Sequence, residues 1–149
     1  MKKDKGRLRK AIFAVVYSKT PNKVKYVILK RKKHWKGWEF PKGKIERFET
    51  KRMAAKRESK EETGLKILKI KKFRIKGLYK YKRNLKDRPK IIGQTYTLFA
   101  LEGKYSKKII VDKKEHYLGK WVSFKEAYKN LTWPNQRKCI KIVNDWLKN

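Results

Sequence analysis

The stretch from Gly43 to Leu65 constrains this chain more than any other. It reads Gly-Lys-Ile-Glu-Arg-Phe-Glu-Thr-Lys-Arg-Met-Ala-Ala-Lys-Arg-Glu-Ser-Lys-Glu-Glu-Thr-Gly-Leu, and Glu46, Glu49, Glu58, Glu61 and Glu62 put five of the chain's 13 acids inside it. Thr50 has the residue type of a helix N-cap and Gly64 that of a helix stop, so a helix is predicted from about Thr50 to Thr63. On a wheel of about 100° per residue, Glu58, Glu61 and Glu62 share one arc of roughly 100°. Ala54 and Ala55 lie beneath that arc, and Arg52, Lys56, Lys60 and Thr63 take the opposite face. Like charges one turn apart weaken a helix, so the crowded carboxylates call for a positive guest. A divalent cation with a preference for hard oxygen ligands suits them. Solvation of an ordinary acidic face would not account for Glu49, Arg57 and the glycines set around the cluster.

The same stretch resembles the Nudix box, Gly-x5-Glu-x7-Arg-Glu-U-x-Glu-Glu-x-Gly-U with U apolar. Gly43, Glu49, Arg57, Glu58, Glu61, Glu62, Gly64 and Leu65 fall in register, and Ser59 departs where the family has an apolar residue. A match at this many fixed positions is specific in a way that a lone glycine motif is not. The resemblance implies an α/β fold, an α/β/α sandwich with a mixed β-sheet between helices. It also implies a Nudix-type hydrolase that cleaves the phosphoric anhydride bond of a nucleoside diphosphate linked to a further group. Such chemistry needs divalent ions, because a polyphosphate repels an attacking hydroxide until its charge is offset. Mg2+ (or Mn2+) is therefore the expected cofactor, with Glu58, Glu61 and Glu62 as ligands. By the same resemblance the backbone carbonyl of Lys42 completes the coordination, and Arg57 pairs with Glu49 to hold the loop, framed by Gly43 and Gly64. The general base in this family often lies outside the box, and Glu115 is the acid placed for that role or for an added ligand position.

The rest of the composition bounds the partners. A chain of 149 residues with 39% hydrophobic residues is expected to form one domain, 1–149, with residues 1–7 as a basic lead-in. A formal charge of +33 draws in polyanions: a nucleotide or dinucleoside polyphosphate substrate, with RNA as a further partner. The longest apolar run, Ala11 to Tyr17, is too short to span a bilayer, so no membrane partner is expected. The lone Cys139 fits a reducing compartment, and a cytoplasmic location is expected. Monomer and dimer are both left open.

Along the chain, the continuous apolar run Ala11 to Tyr17 predicts a strand buried on both faces. Thr20-Pro21-Asn22 signals a turn, and Tyr26 to Leu29 a second strand forming a hairpin with the first. The aromatic-rich segment His34 to Gly43 is expected as a loop. Lys66 to Tyr81 suggests one or two half-buried strands, Lys82 to Lys90 a basic loop and Ile91 to Leu101 a strongly β-prone strand. A short strand at Ile109 to Val111 and another after Glu115 follow. A short helix from Phe124 to Leu131 and a longer one from Asn135 to Leu147 close the chain. In the longer helix Cys139, Ile140, Val143, Trp146 and Leu147 recur at helical spacing and should dock on the sheet.

Lys42 and Arg31 are candidate phosphate contacts. Tyr81, Tyr96 and Trp133 are candidates for base stacking or for core packing, and Trp35 and Trp38 for base stacking or for core or loop packing. The form Trp38-x-Phe40-Pro41-Lys42-Gly43 resembles both the diadenosine tetraphosphate hydrolases and the RNA-decapping branch of the family. Glu115-His116-Tyr117, Trp121-Val122, Ala127 and Leu131-Thr132-Trp133 look more like the former. The expected activity is therefore a metal-dependent pyrophosphohydrolase cleaving dinucleoside polyphosphates such as diadenosine tetraphosphate asymmetrically, to ATP and AMP. The alternatives are RNA 5′-pyrophosphohydrolase or decapping-type activity, and a basic RNA-binding protein on the same scaffold.

Overall fold

In the computed structural model, which describes residues 6–20, 22–81, 85–87 and 90–149, the chain is organised around one strand. That strand is β1 (Arg7–Lys19), whose stretch Ala11 to Tyr17 is buried along its whole length. The reason is its position. β1 pairs in parallel with β6 (Ile91–Gly103) on one side, and antiparallel with β2 (Val24–Arg31) and β4 (Lys42–Lys44) on the other. β3 (Gly37–Glu39) and β7 (His116–Val122) pair antiparallel with β2, and β5 (Ile67–Lys80) closes the far edge against β6. Among the described residues the sheet has seven strands in the order β3-β2-β1-β6-β5, with β4 on β1 and β7 on β2. One parallel ladder among antiparallel ones makes it the mixed sheet expected.

The alternation along β1 divides the core into two layers. Ile12, Ala14 and Val16 pack with Phe99 and Leu101 against Ala54 and Ala55 of α1 (Lys51–Thr63). Phe13, Val15 and Tyr17 face the opposite side. There they meet Ala127 of α2 (Phe124–Asn130) and Cys139, Ile140 and Val143 of α3 (Pro134–Lys148). The apolar stripe of α3 thus docks on the sheet, and Tyr26 Oη donates a buried hydrogen bond to Asn144 Oδ1 at 2.7 Å. α3 opens with Pro134, whose fixed φ suits the first helical turn.

Local signals placed α1 correctly and its facing incorrectly. Thr50 caps it, accepting from Met53 N, and Gly64 ends it in the left-handed conformation at φ 71°. Its buried side, however, is Ala54, Ala55, Ser59, Glu62 and Thr63, so Thr63 lies in the core and not on the outer face with Arg52, Lys56 and Lys60. Thr63 Oγ1 meets its polar needs locally by donating to Ser59 O at 2.6 Å. Ser59 occupies a fully buried position, and its Oγ has no hydrogen-bond partner. A buried hydroxyl left this way costs about 1–3 kcal/mol.

Other expectations shift as well. The lead-in overlaps β1 at Arg7, which pairs with Ile91; residues 1–5 lie outside the described residues. Ile109 to Val111 forms no strand, because Ile110 N donates to Thr63 O at 2.9 Å and ties this segment to the end of α1. The segment His34 to Gly43 contains β3 and the start of β4. Lys66 to Tyr81 forms one strand, β5. Within the expected basic loop, 82–84 and 88–89 lie outside the described residues, as does Pro21 of the expected turn. No helix among the described residues is long and apolar enough to cross a membrane.

Candidate active site

Glu46, Glu58, Glu61, Glu62, Asp87, Asp112 and Glu115 line one cavity of about 300 Å3. That is seven of the 13 acids in a chain otherwise rich in lysine, so the acids are gathered and not dispersed. Arg9, Arg31, Lys33, Lys42, Lys44 and Arg57 line the same cavity. α1 supplies Glu58, Glu61 and Glu62, β4 lies across from them, and Glu115 comes from the segment leading into β7.

Arg57 organises the near wall. Its Nε donates to Glu49 Oε2 at 2.7 Å and its Nη2 to Glu49 Oε1 at 2.9 Å, a bidentate fork. Nη1 reaches Glu58 Oε1 at 2.7 Å and Glu61 Oε2 at 3.4 Å, while Nη2 also donates to Lys44 O at 3.0 Å. These hydrogen bonds raise its pKa further and tie the guanidinium to Glu49, Glu58, Glu61 and the Lys44 carbonyl. Glu49 in turn accepts from Glu46 N at 3.0 Å and fixes the loop. A Cβ at Gly43 would overlap the Glu58 carboxylate, so any side chain there would displace that group.

The acids nearest the floor resist ionisation. Burial, against the pull of Arg57, raises Glu58 to about 7, with Glu61 and Glu115 adding to the rise. Burial raises Glu62 well above the ordinary range, and Glu58, Glu39 and Glu115 push the same way. Glu62 Oε2 accepts from Lys42 N at 3.1 Å, but Oε1 is buried with no hydrogen-bond partner. Facing carboxylates with an unfilled acceptor fit the divalent cation that the sequence calls for. The expected site at the Lys42 backbone is also near, since its N–H contacts Glu62.

Behind the cavity lies a second, buried network. Glu39 is fully buried and its Oε2 accepts from Arg31 Nη1 at 3.1 Å and lies 2.6 Å from His116 Nε2. Its Oε1 lies 3.5 Å from Lys42 Nζ. Burial alone would raise Glu39, but Lys42, the His116 hydrogen bond and Arg31 outweigh it and hold the carboxyl at about 2. Arg31 also approaches Glu115 Oε2 at 3.8 Å, and Lys42 Nζ donates to Tyr79 Oη at 3.2 Å.

Beside the acidic cavity opens a larger, mainly apolar one of about 740 Å3. Trp35, Trp133, Leu78, Tyr79 and Tyr81 line it, and Trp35 and Trp133 meet edge to face at 5.1 Å. Arg31 and Lys42 line both cavities. Of the two tyrosines singled out in the sequence, Tyr81 lines this cavity. Tyr96 does not: it is buried and stacks on Phe13 at 3.8 Å, lining neither cavity, because β6 turns it into the core. Trp38 instead lies beneath Lys30 and Lys120. Glu39, His116 and Asn135, whose Oδ1 is buried without a partner at the apolar cavity, were not expected from the sequence. The signals available were the position of Glu39 inside Trp-x-Phe-Pro-Lys-Gly and that of His116 beside Glu115.

The NUDIX domain model matches residues 7–141. An RNA pyrophosphohydrolase of a Nitratiruptor species is 33% identical over 97% of this chain and 96% of its own length. An 8-oxo-dGTP diphosphatase of Buchnera aphidicola subsp. Schizaphis graminum is 36% identical over 85% of each chain. In fold, the chain is similar to a C. elegans Ap4A hydrolase solved as a binary complex. The TM-score is 0.76 at 19% identity, covering 95% of this chain and 98% of that one.

Proposed function

The chain belongs to the NUDIX family and is a pyrophosphohydrolase, and on that premise we propose that it cleaves dinucleoside polyphosphates asymmetrically, to a nucleoside triphosphate and a monophosphate. The observation that carries this reading is the meeting of the two cavities at Arg31 and Lys42. An aromatic-walled cavity suits a nucleobase, because stacking between ring faces favours any base. The two cations at its mouth suit the first phosphates, and the acidic cavity beyond suits the bond to be broken. The segments Glu115-His116-Tyr117, Trp121-Val122 and Leu131-Thr132-Trp133, which look more like the tetraphosphate hydrolases, support the dinucleotide reading within this class.

In this reading Glu58, Glu61 and Glu62, with the Lys42 carbonyl, hold Mg2+ or Mn2+. The bound ion supplies charge neutralisation for the polyphosphate and acidifies the attacking water. Everything else falls to the chain's own residues. Arg31 and Lys42 orient the phosphates, and Glu39 keeps both cations from swinging into solvent. Arg57 holds Glu58 and Glu61 in place through Glu49. Glu115, on the opposite wall, takes the proton of the attacking water or joins the ligand set. Trp35, Trp133, Tyr79 and Tyr81 hold the base, and the buried Asn135 Oδ1 offers it an acceptor.

A second reading, removal of pyrophosphate from RNA 5′ ends, is favoured by the +33 charge and by the nearly full-length likeness to an RNA pyrophosphohydrolase. A substrate panel with Mg2+ and with Mn2+ separates the two. It should compare diadenosine tetraphosphate, 5′-triphosphorylated RNA, 8-oxo-dGTP and ADP-ribose, with Glu62→Gln as control. Release of ATP and AMP from the first, lost in the variant, is the expected result. Preference for the RNA would replace the first reading by the second.

A further inference from the structure

His116 lies against Glu62 and Glu115 of the acidic cluster. It is fully buried. One of its ring nitrogens, an oxygen of Glu62 and an oxygen of Glu115 all lie within 4.8 Å of one another. Its Nε2 is engaged by Glu39 Oε2 at 2.6 Å, while Nδ1 is buried with no hydrogen-bond partner. Because Glu39 is held ionised by Arg31 and Lys42, its oxygen accepts and His116 Nε2 donates. In a neutral ring with Nε2 donating, Nδ1 carries the lone pair that can ligate a metal.

The cluster therefore contains buried acceptors in search of a donor. Glu62 Oε1 and His116 Nδ1 both lack a partner, and Glu115 adds a further carboxylate. In their ionised and unprotonated forms these atoms cannot satisfy one another, and leaving each unfilled costs about 1–3 kcal/mol. A cation satisfies all of them at once. A carboxylate behind the far nitrogen of an imidazole is also the arrangement that fixes the ring of a metal-binding histidine.

We propose that His116 supplies a nitrogen ligand to a divalent cation bound between Glu62 and Glu115, with Glu39 locking the ring from behind. This assigns Glu115 to the ligand set, and it rests on the metal-dependent reading given above. It also has a consequence for selectivity. An imidazole ligand favours Mn2+ and the later transition ions over Mg2+, which prefers an all-oxygen shell. The chain should thus bind Mn2+ more tightly than a purely carboxylate site would.

The test is pulsed electron paramagnetic resonance on the full chain loaded with one equivalent of Mn2+, prepared with 14N-histidine and with 15N-histidine. The chain has two histidines, His34 and His116, so each can be assigned by one variant. A nitrogen coupling that changes with the isotope, persists in His34→Gln and disappears in His116→Gln is expected. Calorimetry should show the preference for Mn2+ over Mg2+ falling about tenfold in His116→Gln. If that variant does not fold, the isotope exchange in the wild type and in His34→Gln decides by itself. Mn2+ bound with no histidine coupling would overturn the inference and leave the proposed function standing. Failure to bind Mn2+ or Mg2+ at all would overturn both.

Discussion

At the scale of single residues, the site depends on what each position excludes as much as on what it supplies. At Gly43 the Glu58 carboxylate occupies the space that a side chain would take. Gly43→Ala should therefore push Glu58 off its position and lower kcat by about 100-fold, the scale on which small misplacements act. The melting temperature should move little, and normal activity in this variant would refute the crowding. Cys139 makes a prediction about pH. Burial pushes its thiol from 9.0 up to about 11, only partly offset by the Tyr96 hydrogen bond and Lys138. The folded chain thus favours the neutral thiol. Its contribution to stability is complete below the unfolded pKa near 9.0 and is lost as pH rises through about 11. In urea titrations between about pH 8 and 11, wild type should lose about 2 kcal/mol more than Cys139→Ala. Equal losses would mean that the thiol is not desolvated.

At the scale of elements, α1 is both a packing unit and the carrier of the acids, and the two roles can be separated. Its caps serve stability. Thr50→Ala should cost about 1 kcal/mol, and Gly64→Ala about as much or more, because φ is 71° there and a Cβ would lie 2.9 Å from Ile110 Cβ. Denaturant midpoints measure both, with metal affinity unchanged in Thr50→Ala. The Arg57–Glu49 fork serves the site. Glu49→Gln keeps the size of the side chain but breaks the charge pairing, so kcat should fall about 10- to 100-fold while Mn2+ still binds. Complete loss of metal binding in that variant would make Glu49 a ligand and not a support. The caps were legible in the sequence because each acts within a few residues, and the fork through the resemblance of the Gly43 to Leu65 stretch to the Nudix box. Arg57 and Glu49 are eight residues apart, and Thr50 contacts Met53 three residues on. The facing of α1 was not legible. Its docking on Ile12, Ala14 and Val16 turned Thr63 inward, and nothing local to the helix specifies that rotation.

At the scale of the whole molecule, a charge of +33 surrounds a cavity in which the acids are concentrated. Long polyanions should feel that field and small ones less, since salt screens charges beyond about 10 Å at 0.1 M. Between about 50 and 200 mM salt, kcat/KM for 5′-triphosphorylated RNA should fall at least about tenfold, and for diadenosine tetraphosphate by less. Parallel falls would show that the surface charge plays no part beyond the cavity. The sequence by itself determined the limits of α1 and the burial of β1, because continuous patterns and neighbouring residues encode them, and through its resemblance to the Nudix box it implied the fold family and the pairing of Arg57 with Glu49. Only the tertiary structure decided that Glu39 and His116, 77 residues apart, form one buried pair behind Glu62 and Glu115. It alone sent Tyr96 to the core while Tyr79 and Tyr81 line the apolar cavity. The physical reason is that such contacts depend on strand register and on the angle at which helices dock, and packing across the entire core sets both.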